Sequence, residues 1–161
     1  MIRHQSLRMV SRTILMLALL ISLGTSTVPS AAASSSEPPY IWIWWDYRGG
    51  GHDDRWAYIF PFAENPSQLG YSNSVYEVDL SKDPRPYQDP ECYGGGISYT
   101  PTVTTTATGV RYRVTGINWY SGAHFHCVFR FDTDRLPVTV TARMSWKGTV
   151  LAQDTTTVPA K

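Results

Sequence analysis

Two imidazoles two residues apart, His124-Phe125-His126, point to the same side of an extended strand, and a pair at that spacing can ligate one ion. A third, His52, stands beside Asp53 and Asp54 in the glycine-rich stretch Arg48-Gly49-Gly50-Gly51-His52-Asp53-Asp54, and would complete an open zinc or copper site if the fold brought it to that strand. The spacing permits such a centre without demanding it. A solvent-facing histidine pair accounts for the same residues, and a pH-sensitive surface is a further use. Asp46, Asp53 and Asp54 offer oxygen ligands for calcium but not in the order of a known binding loop. With Glu77 they also supply carboxylates for glycoside hydrolysis, although no spacing selects a working pair. A Gly-x-Ser-x-Gly nucleophile turn is absent, and Gly94-Gly95-Gly96 precedes a strand pattern, whereas phosphate loops and dinucleotide fingerprints open a helix. The chain therefore reads as a binding protein rather than a catalyst.

The strongest binding signal is Tyr40-Ile41-Trp42-Ile43-Trp44-Trp45-Asp46-Tyr47, which holds three of the six tryptophans and two of the ten tyrosines. As a strand it puts Tyr40, Trp42, Trp44 and Asp46 on one face and Ile41, Ile43, Trp45 and Tyr47 on the other. Pairing Tyr47 with Arg55 across the 48–54 loop sets Trp44 against Tyr58, Trp42 against Phe60, Tyr40 against Phe62 and Asp46 against Trp56. The opposite face then joins the isoleucines to Ala57, Ile59 and Pro61. Two readings follow. The aromatic ladder is core, with the isoleucine face shielded by a long loop; or Tyr40, Trp42, Trp44, Trp56 and Tyr58 form a platform for carbohydrate or another extracellular ligand. In the second case ring faces supply area and Trp N–H or Tyr O–H supplies direction. An edge that enters a membrane or self-associates is the remaining use.

A third class of function rests on the 83–92 loop, Asp83-Pro84-Arg85-Pro86-Tyr87-Gln88-Asp89-Pro90-Glu91-Cys92. Prolines lower the entropy lost on binding, which suits a protease-inhibitor or toxin-like interaction loop presenting Arg85, although Pro86 directly after it is awkward for a trypsin-like pocket. Packing of the loop over an apolar face is the plainer reading.

The elements that must position these residues are short runs of β-branched and aromatic residues separated by Gly, Pro and Asp clusters, at 40–47, 55–62, 72–80, 97–106, 110–119, 123–131, 137–146 and 149–158. Seven to eight strands without helical periodicity predict an all-β, antiparallel two-sheet β-sandwich, immunoglobulin-like or jelly-roll-like, with a small barrel as the alternative. The cysteine spacing does not follow the immunoglobulin Cys…Trp…Cys arrangement. Alternation assigns Val138, Val140, Ala142, Met144 and Trp146 inward, with Phe125, Cys127, Phe129 and Phe131, and Val110, Tyr112 and Val114. A bulge at Gly116 would return Ile117 and Trp119 to the core. Arg111, Arg113, Arg130, Arg143 and Lys147 point outward and could share one sheet face. The segment 81–96, with Pro84, Pro86 and Pro90, reads as a long irregular loop tethered by Cys92.

Compartment follows from the first residues: Arg3, Arg8 and Arg12, an apolar run from Thr13 to Leu23, and Ala31-Ala32-Ala33 have the zones of a secretory signal. This predicts a signal peptide over 1–33 cleaved after Ala33, a flexible lead over 34–39, and one domain over 40–161. The apolar run falls short of the roughly 20 residues a spanning helix needs. Cys92 and Cys127, the only cysteines, then form a disulfide in a secreted, extracellular or periplasmic protein. Residues 34–161 carry 11 basic and 13 acidic side chains, so neither nucleic acid nor a generally anionic surface is indicated as partner. The charge is divided: 34–100 has 4 basic and 10 acidic groups, and 101–161 has 7 and 3. Two attracting layers explain that division, or a cationic face for an anionic ligand.

Overall fold

The computed structural model describes residues 37–47, 55–83 and 90–161. Residues 1–36, among them the expected signal peptide over 1–33, residues 48–54 with His52, Asp53 and Asp54, and residues 84–89 with Arg85 and Tyr87 lie outside the described residues. Ten strands are present among the rest: β1 (Tyr40–Asp46), β2 (Trp56–Glu64), β3 (Tyr71–Leu80), β4 (Glu91–Gly94), β5 (Ile97–Tyr99), β6 (Thr102–Thr106), β7 (Gly109–Trp119), β8 (His124–Asp132), β9 (Val138–Trp146) and β10 (Thr149–Val158). They form two antiparallel five-stranded sheets, β1-β2-β8-β4-β5 and β10-β9-β3-β7-β6, packed together as a sandwich and not closed into a barrel. Among the described residues no helix is long and apolar enough to cross a membrane.

The core is what the period of two dictates. Ala57, Ile59 and Ala63 of β2 and Phe125, Cys127, Phe129 and Phe131 of β8 are buried from one sheet, and Tyr76, Val78, Tyr112, Val138, Val140, Ala142 and Met144 from the other. Gly116 takes φ +75°, a conformation open to glycine at little cost, and Ile117 and Trp119 beyond it are buried. Trp146 is only partly buried, packed at the margin against Tyr71 with ring centroids 5.6 Å apart. A buried polar contact ties the layers together. Proline at position 61 can donate nothing to the β2–β8 ladder, and its carbonyl oxygen instead accepts the buried Tyr76 hydroxyl at 2.8 Å. Burial holds that phenol well above its usual pKa, so it stays a donor.

The strand that opens β7 depends on a missing side chain. Gly109 has φ +153°, and a Cβ there would lie 1.9 Å from the Leu80 carbonyl oxygen. Gly109→Ala is expected to cost about 3 kcal/mol, from strain plus a backbone clash. Denaturant unfolding checks it, and a variant as stable as the parent would show that β7 begins differently.

Four expectations need correction. The segment 81–96 is not irregular throughout: Glu91–Gly94 is a strand paired to β8, hidden from pattern reading because it is four residues long and follows a proline cluster. The run 97–106 is two strands. Pro101 breaks it, and the chain crosses there from β5 in one sheet to β6 in the other. In the first hairpin Trp44 lies opposite Phe60, Trp42 opposite Phe62, Tyr40 opposite Glu64 and Asp46 opposite Tyr58, two residues further along β2 than expected. Arg55 does not pair with Tyr47, because its Nε donates to Asp132 at 3.0 Å and its carbonyl oxygen accepts from the Thr133 N–H at 2.8 Å. The outward cations, finally, do not share one face. Arg130 belongs to the first sheet, whereas Arg111, Arg113 and Arg143 flank β3 in the second.

That last arrangement explains the divided charge. Asp79 on β3 accepts from Arg111 at 2.6 and 3.1 Å and from Arg143, and Glu77 lies 3.3 Å from Arg113. The acidic and basic halves of the sequence meet side by side within one sheet face, not across the layers. Neighbouring carboxylates answer the arginines, so a cationic surface does not form there.

Candidate functional site

The inner face of β1 is the isoleucine face. Ile41 is buried, and Ile43, Trp45 and Tyr47 pack partly buried against the core, Tyr47 also donating from its hydroxyl to the Pro159 carbonyl at 2.8 Å. The second sheet covers this side, with β10 and β9 packed against β1. The aromatic face is thereby turned outward. Trp42 and Trp44 remain 38% and 49% exposed, and Tyr40 is exposed beside them.

These rings belong to a surface that runs across four strands. Trp42 stacks on Phe62 with centroids 5.0 Å apart and planes within 10°, and Trp44 lies 4.9 Å from Phe60. Along β2, Tyr58, Phe60 and Phe62 follow one another at 6.3 Å. On β8, His126 stacks against Phe62 at 4.9 Å, with Tyr93 of β4 at 5.6 Å on its far side and His124 at 6.4 Å. Antiparallel order alone brings them together: β2, β8 and β4 are neighbours, with Phe62 opposite His126 and His126 opposite Tyr93. On the reverse of the same strands, the Cys92–Cys127 disulfide ties β4 to β8 directly beneath Tyr93 and His126.

Polar groups edge the surface. The Tyr40 hydroxyl donates to Glu64 at 2.8 Å, and this bond keeps the phenol protonated to higher pH than usual. The Tyr93 hydroxyl donates to Glu91. At the other end of the same face of β2, Trp56 lies under two cations: the Arg130 guanidinium is 3.7 Å over its ring and that of Arg55 lies 5.0 Å away. Of the five sequence-derived platform residues, the structure thus groups Tyr40, Trp42, Trp44 and Tyr58 and places Trp56 under arginine. Tyr93 and His126 are the members that sequence reasoning did not assign to the platform. The outward alternation of β8 was the available signal, but it does not reveal that β8 lies beside β2.

For metal chemistry, His124 and His126 do share a face, as their spacing predicts, while His52 lies outside the described residues. Among those described, no group of three His, Cys, Asp or Glu could hold an ion. Asp46 and Glu77 stand on different sheets, and Glu77 is engaged by arginine.

His126 carries a pH dependence. Burial, then the neighbouring His124, lowers its pKa below the ordinary 6.5, and its Nδ1 is buried without a hydrogen-bond partner among the described residues. The unfolded chain therefore takes up this proton more readily than the folded one. Its stabilising contribution is complete above about pH 6.5 and falls as pH drops from there towards the lower folded pKa. Melting temperatures are expected to decline across that window, and less so in His126→Phe; equal slopes for both proteins would remove His126 as the cause.

Neither a family model nor a curated protein matches the chain. Among solved structures it is similar to the crystal structure of BslA, a bacterial hydrophobin, at 15% identity and a TM-score of 0.45, over 78% of this chain and 98% of that one. It is also similar to AvmM, which catalyses macrocyclization in alchivemycin A biosynthesis, at 8% identity and 0.39, over 75% and 89%. The GAE domain of GGA2p from Saccharomyces cerevisiae is a further similar structure, at 15% and 0.30, over 75% and 91%. No function passes to this chain from likenesses at these TM-scores.

Proposed function

We infer that this is a secreted, non-catalytic protein that binds carbohydrate on the outer face of its first sheet. The observation that carries the reading is the exposure of Trp42 and Trp44, which stack on β2 yet stay 38% and 49% open. Contiguous apolar surface of this kind on a soluble domain marks an interaction site. Its margins favour a sugar. Glu64 and Glu91, which accept the Tyr40 and Tyr93 hydroxyls, and His124 stand around the rings, where they can exchange hydrogen bonds with sugar hydroxyls. Nucleic acid is disfavoured by the same carboxylates, since strand-stacking platforms rely on basic grooves. The Cys92–Cys127 disulfide suits an oxidising compartment.

Pull-down of the domain with a panel of insoluble polysaccharides, followed by competition with soluble oligosaccharides, tests the reading. Retention on at least one polymer, reversed by its oligosaccharide and accompanied by a change in tryptophan fluorescence, is expected. Passage through every polymer without retention would overturn it.

A further inference from the structure

Among the described residues the four most exposed large apolar side chains are Leu69, Tyr120, Ile97 and Val150, at 65%, 59%, 56% and 51%, and none belongs to the aromatic face. They lie in or beside four separate connections, and the register gathers them at one end of the sandwich. Leu69 lies between β2 and β3, Tyr120 between β7 and β8, Ile97 just after the β4–β5 turn, and Val150 just after the β9–β10 turn. Glu64 is opposite His124, Gly94 is opposite both Phe125 and Ile97, and Tyr71 is opposite Trp119, so these strand ends coincide. Backbone bonds from Asn65 to Ala123 at 3.1 Å and from Gly122 to Asn65 at 2.7 Å join two of the connections, and the Trp146 indole donates to the Ser72 carbonyl at 3.0 Å to bring in the last hairpin.

We propose that this end docks on a lipid surface. The connections are Asn65-Pro66-Ser67-Gln68-Leu69-Gly70, Gly95-Gly96, Tyr120-Ser121-Gly122-Ala123 and Lys147-Gly148, and their one charged residue is Lys147. Entering a headgroup layer therefore strips no carboxylate in these turns of water, which would be the costly step, and Glu64 at the adjoining strand end already accepts the Tyr40 hydroxyl. Lys147, 4.3 Å over the Trp146 ring, offers a cation to lipid phosphate, and Tyr120 is the amphipathic type of ring that settles at headgroup level. The tips stand in or beside turns otherwise made of small or polar residues, from four different places in the chain. A rigid protein partner would have to match each tip with its own pocket, whereas a fluid interface accommodates all of them at once. This surface adjoins the aromatic face at Glu64 and His124 but uses none of its rings, and it does not depend on the carbohydrate reading.

Co-sedimentation of the mature protein with vesicles of phosphatidylcholine alone, and of phosphatidylcholine with phosphatidylglycerol, tests the proposal. Binding to both is expected, stronger where the anionic lipid meets Lys147. Replacing the four tips together, Leu69→Ser, Ile97→Ser, Tyr120→Ser and Val150→Ser, should lower vesicle affinity about tenfold or more with the melting temperature unchanged, because exposed side chains add little to the fold. Trp42→Ala with Trp44→Ala should leave vesicle binding intact, which separates this result from the fate of the carbohydrate reading. The proposal fails if the parent protein does not sediment, if the four-tip variant binds as the parent does, or if the tryptophan pair alone removes binding. It also fails if light scattering finds a dimer that the four-tip variant abolishes, since the end would then be a contact between copies.

Discussion

Replacing Trp42 and Trp44 together with alanine is expected to abolish retention on polysaccharide while leaving a folded domain. Truncating a central aromatic contact typically costs about 2 kcal/mol of binding, or roughly 30-fold, so the pair should weaken affinity by at least about a hundredfold. The cost to stability is smaller, about 0.5–1.5 kcal/mol for each lost stacking pair, Trp42 on Phe62 and Trp44 with Phe60. Trp45 supplies the internal control. It is the next residue in the chain, but it faces the core and lies edge-on to Tyr47 at 5.2 Å. Trp45→Ala should lower the melting temperature and leave the affinity of the folded fraction unchanged. Affinity by titration calorimetry and melting by circular dichroism separate the two variants; undiminished binding by the Trp42/Trp44 double variant would assign the ligand elsewhere.

Cys92→Ala with Cys127→Ala is expected to destabilise the domain by about 4 kcal/mol, the chain-entropy value for a sequence separation of 35 residues, and to lower the melting temperature by about 15 °C. Beyond its disulfide, β4 has four residues paired to β8 on one side and to the short β5 on the other. Losing the bond should also loosen Tyr93 from His126, narrowing the aromatic surface at that margin while Trp42 and Trp44 keep their places on β2. Melting with and without reductant measures the effect. A fall of only a degree or two would mean that the ladders alone hold β4.

Which parts of this were legible in the sequence follows from what alternation encodes. The inward sets on β8 and β9 were plain because Phe125, Cys127, Phe129 and Phe131, and Val138, Val140, Ala142 and Met144, are interleaved with polar residues. In the first hairpin the faces were right and the register was not, and one fact explains both: a shift of two residues leaves every side chain on its face. Alternation separates faces without saying which one a second sheet will cover. Trp42 and Ile43 were therefore equally good candidates for the interior until the pairing of the layers was known. Nor does it say which sheet a strand joins, and so Arg130 was grouped with Arg111 and Arg143 when it sits over Trp56. The platform members Tyr93 and His126 depended on the neighbour order β2-β8-β4, which a crossover connection sets and local composition does not.

The most exposed rings of the platform ride on an outermost strand. β1 is hydrogen-bonded to β2 alone and presents its other backbone edge outside the ladder, so it can detach without breaking any ladder but its own. Amide protons from Ile41 to Trp45 should accordingly exchange with solvent faster than those of β8, which is flanked on both sides. A ligand lying across Trp42 and Phe62 would span two strands and act as a clasp, slowing β1 exchange in proportion to its occupancy. The local opening of this strand would then report binding.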